Sequence, residues 1–293
     1  MTKIVPHLWY DDNAREAAEF YMSLFDGSRL VYRAIIEDTP SGDAEFLSFE
    51  LAGQPFYAIS AGPYFKLNPS ISLMVECASV DEVDRLYNAL IEGGTALMPL
   101  DEYPFSPRYG WVQDRFGLTW QIIQTQGPMR QKITPNLLFS DGVCGKAEEA
   151  INFYAQVFGD SGVDFVSHYA PGEAGSNNAR VNYAAFHLEG VHFSAMDHHS
   201  GGDFTFNEAF SLLVNCADQA EIDRLWDALS AVPEAEQCGW IKDKYGLSWQ
   251  ISLASMDEMY KSGSPEAMRR VTAAFLPMKK LDAEVLERAF RGE

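Results

Sequence analysis

The spacing of apolar residues predicts a β-α-β-β-β module at the start of the chain. The first apolar run, KIVPHLWY from Lys3 to Tyr10, is typical of a strand. Apolar residues then recur at helical spacing from Ala14 to Phe25, and Gly27 ends that pattern. Three runs of alternating polarity follow and predict strands over 30–37, 44–51 and 55–60.

The same order begins again at Ser70. SISLMVEC, Ser70 to Cys77, predicts a strand, and a capping box at Ser79 and Glu82 opens a helix that Gly93 and Gly94 stop. Three more strands are predicted over 95–100, 108–113 and 118–124. The first repeat of the chain is therefore a pair of modules.

The chain then repeats this pair. GWVQDRFGLTWQII starts at Gly110, and GWIKDKYGLSWQIS starts 129 residues later at Gly239. Both predict two strands joined by a polar tip, with a glycine at a turn position of positive φ. The offset is 139 between the capping boxes at Ser79 and Asp218, so the second copy is shorter before Gly239. We predict an α+β fold of tandem repeats, 1–127 and 128–253, whose paired modules form cupped, mixed or antiparallel sheets.

Residues 254–293 predict a helical tail. Ser264 is a helix cap, Pro265 occupies the first helical position, and Pro277 ends or kinks the run, which leaves two helices. Each helix carries an apolar stripe that must pack on the repeats or on a second chain. A homodimer through these helices is one prediction from that stripe.

Charge and composition narrow the range of partners. The net charge of −20 opposes binding to nucleic acid or to an anionic membrane, since both depend on basic patches. The start of the chain has no apolar signal region, and no apolar run approaches spanning length. Four cysteines, two of which end apolar strands, fit buried reduced thiols. We expect a cytoplasmic protein with no nucleic-acid or membrane partner.

Several long blocks resemble a known superfamily. PHLWYDDNAREAAEFYMSLF, YGWVQDRFGLTWQII and CGWIKDKYGLSWQI resemble the vicinal-oxygen-chelate superfamily of glyoxalase I, extradiol dioxygenases, fosfomycin-modifying enzymes and bleomycin-binding proteins. Within it the resemblance is to the PhnB-like group, whose domain is often labelled a 3-demethylubiquinone-9 3-methyltransferase domain. The resemblance extends over nearly the whole chain, including the helical tail. It implies the cupped sheets predicted above.

The resemblance also implies where a metal ion would bind. Metal-dependent members take His and Glu ligands from the first and last strands of each module, around an ion that polarises the substrate. Here the first strands carry His7 and Asn136, and the last strands carry Gln121 and Gln250. Neutral amides do not balance a divalent ion, so we predict that both metal sites are lost and that no cofactor is needed. The methyltransferase label would require a site for S-adenosylmethionine, which no glycine-rich strand-to-helix turn supports.

The residues of the predicted cups are candidates for binding a small molecule. The candidate ligand-binding residues are His7, Trp9, Trp111, Gln121, Asn136, Trp240 and Gln250. His7 is either a general base or a hydrogen-bonded pocket histidine, and the two glutamines either orient a ligand or satisfy neighbouring polar groups. Asp197, His198 and His199 form the densest ligand-type cluster, which either binds a metal ion or lies solvated on a loop.

Two functions follow from these residues. The first is a small-molecule binding protein of the resistance or sequestration kind, with a metal-free cup whose aromatic residues either stack a flat aromatic ligand or belong to its rim and core. The second is a divalent-metal-dependent lyase, transferase or dioxygenase of the superfamily. No residue is assigned a catalytic role, and the sequence leaves open whether the protein is an enzyme.

Overall fold

A computed structural model describes residues 2–127 and 129–293 of the chain. The strands are β1 (Ile4–Tyr10), β2 (Arg29–Thr39), β3 (Gly42–Leu51), β4 (Gln54–Ser60), β5 (Ile71–Cys77), β6 (Thr95–Tyr103), β7 (Ser106–Gln113), β8 (Thr119–Gln124), β9 (Ile133–Phe139), β10 (Gly162–His168), β11 (Val181–Leu188), β12 (Val191–Asp197), β13 (Phe210–Cys216), β14 (Trp240–Lys242) and β15 (Ser248–Leu253). The helices are α1 (Ala14–Leu24), α2 (Val80–Ile91), α3 (Ala147–Val157), α4 (Gln219–Leu229), α5 (Ser255–Ser262), α6 (Pro265–Phe275) and α7 (Ala283–Arg291). The α+β class and the order of elements are as predicted.

The two sheets combine modules from different repeats. One sheet has the order β14-β15-β13-β1-β4-β3-β2, and the other has the order β10-β11-β12-β9-β5-β8-β7-β6. Strands β1 and β13 pair antiparallel in the first sheet, and β5 and β9 do so in the second. Each sheet therefore joins one module of the first repeat to one module of the second.

The compact units follow the sheets. The first unit comprises Met1–Met22, Gly27–Phe65 and Asn207–Glu293, and the second unit comprises Ser23–Asp26 and Lys66–Phe206. The predicted boundaries at residues 127 and 253 separate the repeats of the sequence, whereas these units divide the chain between the modules of each repeat.

The predicted capping boxes open two of the helices. The Ser79 hydroxyl accepts a hydrogen bond from the Glu82 N–H, and the Glu82 carboxylate accepts one from the Ala78 N–H. Asp218 and Glu221 make the corresponding bonds at the start of α4. These side chains satisfy backbone donors that a helix leaves unpaired at its N-terminus.

The duplicated hairpin has a buried carboxylate where the sequence predicted a polar tip. Asp114 is 3% exposed and Asp243 is 1% exposed. Asp114 accepts a 2.8 Å hydrogen bond from the indole of Trp120, and Asp243 accepts a 2.9 Å bond from Trp249. Each carboxylate also accepts two backbone N–H groups of its turn. This aspartate closes the turn and fixes the tryptophan, which explains why Asp and Trp recur at the same spacing.

The units differ at one edge of their sheets. In the second unit, β6 and β7 form a long hairpin beyond β8. In the first unit only the short strand β14 pairs beyond β15, so the sheet has seven strands where the other has eight. The shortening predicted before Gly239 therefore removes the counterpart of β6.

The tail contains one helix more than predicted. Helices α6 and α7 confirm the two expected helices, and the Ser264 hydroxyl caps α6 as predicted. The additional helix, α5, follows the last strand directly. The apolar stripes of the tail are buried within this chain at Ala267, Val271, Phe275, Leu281 and Leu286. A homodimer through the tail stays a prediction.

Among the described residues, none of the helices has the length and apolarity needed to span a membrane.

Candidate functional site: two equivalent cups

The strand registers place equivalent side chains on one face of each sheet. We call this face the cup; it carries Gln250 in the first unit and Gln121 in the second. Across the first cup runs a row formed by Tyr32, Ser48, Tyr57, His7, Ser211 and Ser248. Across the second cup runs the matching row of Phe165, Ala185, Ser194, Asn136, Ser72 and Thr119. The two rows correspond position by position.

A chain of hydrogen bonds crosses the centre of the second cup. The Tyr109 hydroxyl donates to Gln121 Oε1 at 2.9 Å, and Gln121 Nε2 donates to Ser72 Oγ at 2.7 Å and to Asn136 Oδ1 at 3.3 Å. Asn136 Nδ2 donates to Ser194 Oγ at 2.8 Å. All five side chains are buried. Each polar group here is satisfied by a neighbour, as burial requires.

This donor set does not fit the metal ion that the superfamily implies. The central positions of the second cup hold amides and hydroxyls, which are weak ligands and carry no negative charge. The amides of Gln121 and Asn136 are engaged in the hydrogen bonds above. Across residues 2–127 and 129–293, no three His, Cys, Asp or Glu side chains are grouped to hold a metal ion.

Beside this network the second cup contains an open cavity of about 510 Å³. Phe165 of β10 and Tyr183 of β11 form one wall, with ring centroids 6.4 Å apart. The lining also includes Glu76, Thr134, Ala185, His192 and the linker residue Arg130. Phe165 is 54% exposed although it is a large apolar side chain.

The cavity contains charged groups in unequal environments. Burial raises the pKa of Glu76, and the nearby Lys132 and Arg130 partly oppose that shift. Burial lowers the pKa of His192, which favours a neutral imidazole there, against the attraction of Asp164. Asp164 in turn contacts Arg130 at 3.4 Å.

The tail fills the equivalent region of the first cup. The ring of Tyr260, from α5, stacks on Phe46 with centroids 5.5 Å apart and on Tyr32 with centroids 6.2 Å apart. Asp257, one turn earlier, is 8% exposed and accepts a 3.3 Å hydrogen bond from the Tyr57 hydroxyl. Burial, with the Asp257 charge as a smaller cause, raises the pKa of Tyr57. Helix α5 therefore places an aromatic ring and a carboxylate in this cup.

His7 lies deep in the first cup. It is 1% exposed, and its ring lies 5.9 Å from Phe46 and 5.6 Å from Trp240, between centroids. Its Nδ1 atom has no hydrogen-bond partner among the described residues. Burial lowers the pKa of His7 to about 3. The imidazole is therefore neutral near pH 7, and a group with this pKa is a poor general base.

The other predicted residues of the first unit surround His7. Gln250 Nε2 donates to Ser211 Oγ at 2.9 Å. Trp9 donates to the Gly62 carbonyl at 2.8 Å, and its ring meets Trp240 edge-on at 6.1 Å. With His7 as its one ligand-type side chain at these positions, the first cup also fails to fit a divalent ion.

The candidate residues are thus divided between two cups. His7, Trp9, Trp240 and Gln250 belong to the first unit, and Trp111, Gln121 and Asn136 belong to the second. Trp111 lies opposite Gln121 in the register of β7 and β8, and its indole Nε1 is buried without a hydrogen-bond partner among the described residues. The sequence repeats did not reveal this division, because each repeat contributes to both sheets.

Asp197 has a structural role. Its side chain is 1% exposed and accepts backbone N–H groups from Gly145, Ala147, Arg180 and Val181 at 2.8, 3.2, 3.0 and 2.8 Å. These four donors occupy both carboxylate oxygens and tie the start of α3 to β11.

The adjacent histidines are also engaged. His198 Nδ1 accepts from the Ser200 N–H at 3.1 Å, and His199 Nε2 lies 2.9 Å from the Glu173 carbonyl oxygen. Burial is the main cause that lowers the pKa of His198. The structure favours a hydrogen-bonded loop over a metal site for this cluster.

Sequence reasoning missed the walls of both cups. It named neither Tyr260 and Asp257 of α5 nor Phe165, Tyr183 and Glu76 of the cavity. The available signal was weak: Phe165 and Tyr183 lie on strands predicted by position only, and their partnership depends on the register of β10 and β11.

Comparison with known families supports the fold and the duplication. The profile of a family described as 3-demethylubiquinone-9 3-methyltransferase matches residues 2–123 and again residues 131–252. These two matches cover most of the chain. The chain belongs to the 3-demethylubiquinone-9 3-methyltransferase family. The predicted resemblance to the PhnB-like group is thereby confirmed.

Solved structures extend this assignment. A PhnB protein from Bacillus cereus is 33% identical over 41% of this chain and 98% of its own, with a TM-score of 0.39. A protein from Pseudomonas aeruginosa is 29% identical over 43% of this chain and 100% of its own, with a TM-score of 0.38. Each of these two proteins is thus aligned over nearly its whole length to less than half of this chain.

A longer structure matches both repeats. A variant of glyoxalase I from Zea mays is 12% identical over 88% of this chain and 94% of its own, with a TM-score of 0.54. At this identity the match shows the fold alone, which is that of glyoxalase I. A search of curated proteins gave no significant match. The description of the 3-demethylubiquinone-9 3-methyltransferase family names a reaction, but fold and family do not by themselves assign one.

Proposed function

We propose that this protein binds a small organic molecule with an aromatic ring in the cup of the second unit, and that it does so without a metal ion or other cofactor. The observation that carries the proposal is the cavity of about 510 Å³ beside a fully hydrogen-bonded network. That volume lies within the range of small-molecule pockets. The satisfied network lies next to the cavity without lining it, and the exposed Phe165 supplies apolar contact area.

The neutral network supports the metal-free part of the proposal. In a metal-dependent relative, carboxylate and imidazole ligands would point into the centre of the cup. Here Gln121, Asn136, Ser72 and Ser194 bond to one another instead. The superfamily alternative, a divalent-metal-dependent lyase, transferase or dioxygenase, would need these bonds to open and would still lack a charged ligand.

A cavity-filling variant tests the location. Ala185 lies in the cavity wall, so Ala185→Trp should fill the space and abolish binding. Ala34→Trp is the matched control, because Ala34 lines a separate groove of about 330 Å³ in the first unit. Protein treated with a chelator would be screened against flat aromatic compounds by the rise in melting temperature, which reports binding to the folded state.

The proposal expects stabilising compounds that act on the chelated wild type and on Ala34→Trp but not on folded Ala185→Trp. Binding that survives Ala185→Trp would place the site elsewhere. Stoichiometric Zn²⁺, Ni²⁺, Mn²⁺ or Fe²⁺ in the purified protein, with binding lost on chelation, would favour the metal-dependent alternative.

A further inference from the structure

The first cup shows what kind of group fits the second. We propose that the second cup selects an arylalkylamine, whose ring stacks on Phe165 and Tyr183 while its protonated nitrogen binds the Glu76 carboxylate. This inference rests on the proposed function and adds the chemical class of the ligand.

The register establishes which positions are equivalent. Tyr32 is opposite Ser48 in the first unit, as Phe165 is opposite Ala185 in the second. Phe46 lies two residues before Ser48, and Tyr183 lies two residues before Ala185. The pair of Tyr32 and Phe46 therefore corresponds to the pair of Phe165 and Tyr183.

The equivalent aromatic pairs have different coverings. In the first unit the Tyr260 ring lies nearly parallel to Tyr32 and Phe46, at interplanar angles of 15° and 17°. In the second unit the chain continues after β8 into the linker at Thr125–Gly127 and Arg130, which borders the cavity. Phe165 there remains 54% exposed, so a flat ring can occupy the place that Tyr260 takes in the first cup.

The charge at the next position favours a cation. Glu76 lies four residues after Ser72, and its equivalent in the first unit is Asn215, four residues after Ser211. Asn215 Nδ2 is bound to the Thr2 carbonyl at 3.0 Å, whereas Glu76 presents a carboxylate to the cavity. A neutral amide in the filled cup thus corresponds to an acid in the open one.

The remaining charges do not cancel this preference. The cavity is lined by two acids, Glu76 and Asp164, and one permanent base, Arg130. Arg130 is already paired with Asp164, and burial keeps His192 neutral near pH 7. Glu76 makes no direct ion pair among the described residues, although the positive charges of Lys132 and Arg130 and a hydrogen bond with Thr125 also stabilise its carboxylate. A protonated amine beside aromatic faces gains both a charge-assisted hydrogen bond and a cation–π contact.

Four probe compounds distinguish the contribution of the aromatic ring to binding from that of the positive charge. Tryptamine carries an aromatic ring and a cation, tryptophol a ring and a hydroxyl, indole-3-propionate a ring and an anion, and 2-cyclohexylethylamine a cation without an aromatic ring. Dissociation constants would be measured by titration of the full-length protein with ligand-observed NMR. We expect tryptamine to bind about tenfold more tightly than tryptophol and the anion, and about threefold or more tightly than the cyclohexyl amine.

Matched variants assign the two contacts. Phe165→Ala should weaken tryptamine binding about three- to tenfold, whereas Phe105→Ala should not, because Phe105 is a similarly exposed phenylalanine of the same unit outside the cavity lining. Glu76→Gln should remove the preference for tryptamine over tryptophol. Glu102→Gln, which makes the same charge change on an exposed strand of that unit, should leave the preference intact.

Equal or tighter binding of the anion, or equal effects of Phe165→Ala and Phe105→Ala, would overturn the inference. So would no binding of tryptamine to the wild type. If other compounds still bind in a manner that Ala185→Trp abolishes, the proposed function stands and the amine class alone fails. If Phe165→Ala instead dissociates a dimer in sedimentation velocity, a second copy occupies the cup and the inference is wrong.

Discussion

The two cups share a sheet register and differ in what covers them. The first cup holds Tyr260 and Asp257 of its own tail against Tyr32 and Tyr57. Among the described residues no such helix covers the second cup, which retains a cavity of about 510 Å³. Equivalent positions of one fold are therefore packed core in one unit and line an open cavity in the other, which is the ligand site that we propose.

The centres of the cups differ in a second way. In the second cup Gln121 joins a continuous network, whereas in the first cup Gln250 makes one bond to Ser211 beside a buried neutral histidine. His7, the most conspicuous candidate in the sequence, thus lies in the filled cup. An assignment from residue type alone therefore points to the cup that the tail fills, and not to the cup that retains a cavity.

The largest expected effect comes from breaking the network. Gln121→Ala would leave the partners Tyr109, Ser72 and Asn136 without one of their hydrogen bonds in a buried site, at a cost of about 3 kcal/mol of unfolding free energy. Gln250→Ala should cost only about 1 kcal/mol, since it removes one bond at a half-buried residue. Urea denaturation of both variants measures the difference. Equal losses of unfolding free energy would show that the two glutamines contribute equally to stability, which would contradict the difference between the cups.

The next effect concerns pH. The folded pKa of His7 is about 3, below its usual 6.5, so as pH falls the unfolded chain binds a proton before the folded chain does. The stability contributed by neutral His7 is therefore complete above pH 6.5 and is lost progressively as pH falls towards 3. Between pH 7.5 and pH 5 the loss is about 2 kcal/mol.

His7→Asn installs the residue that the second cup carries at this position, Asn136. Between pH 7.5 and pH 5, we expect the unfolding free energy of this variant to fall by about 2 kcal/mol less than that of the wild type. Asparagine does not titrate, so the variant removes only this proton linkage. Parallel pH profiles for the wild type and the variant would contradict the buried neutral assignment.

A smaller effect should distinguish the aromatic walls. Tyr32→Ala removes a ring that stacks on both Phe46 and Tyr260, and should lower the unfolding free energy by about 1–2 kcal/mol. Phe165→Ala, at the equivalent position, should change it by less than about 0.5 kcal/mol because the ring is exposed. The thermal and urea midpoints of both variants provide the measurement. A large loss in Phe165→Ala would mean that this ring is structural.

Local patterns predicted most elements of the fold. The capping boxes at Ser79 and Asp218 and the duplicated Trp-Gln-Ile strand depend on neighbours a few residues away, which a sequence displays directly. The loss of acidic residues at Gln121 and Gln250 was also visible. These features suffice for the family and for the expectation of neutral cup centres.

Long-range pairing was not visible in the same way. Nothing local in β1 indicates that His7 pairs with Ser211 two hundred residues later, so the exchange of modules between the sheets was not foreseen. Helix α5 was missed because it is short, and its Tyr260 finds a role only through Phe46 and Tyr32. The acidic position of the cavity, Glu76, reads in sequence as an ordinary strand residue. Strand registers decide which side chains share a site, and they are a property of the folded sheet.

Binding stoichiometry distinguishes the two cups. We expect calorimetric titration of the chelated full-length protein with an aromatic compound selected by melting temperature to give one site per chain. Ala185→Trp should abolish this site and Ala34→Trp should retain it, since Ala185 borders the cavity of the second cup and Ala34 does not. A site of unchanged stoichiometry and affinity in folded Ala185→Trp would contradict the assignment of ligand binding to that cup.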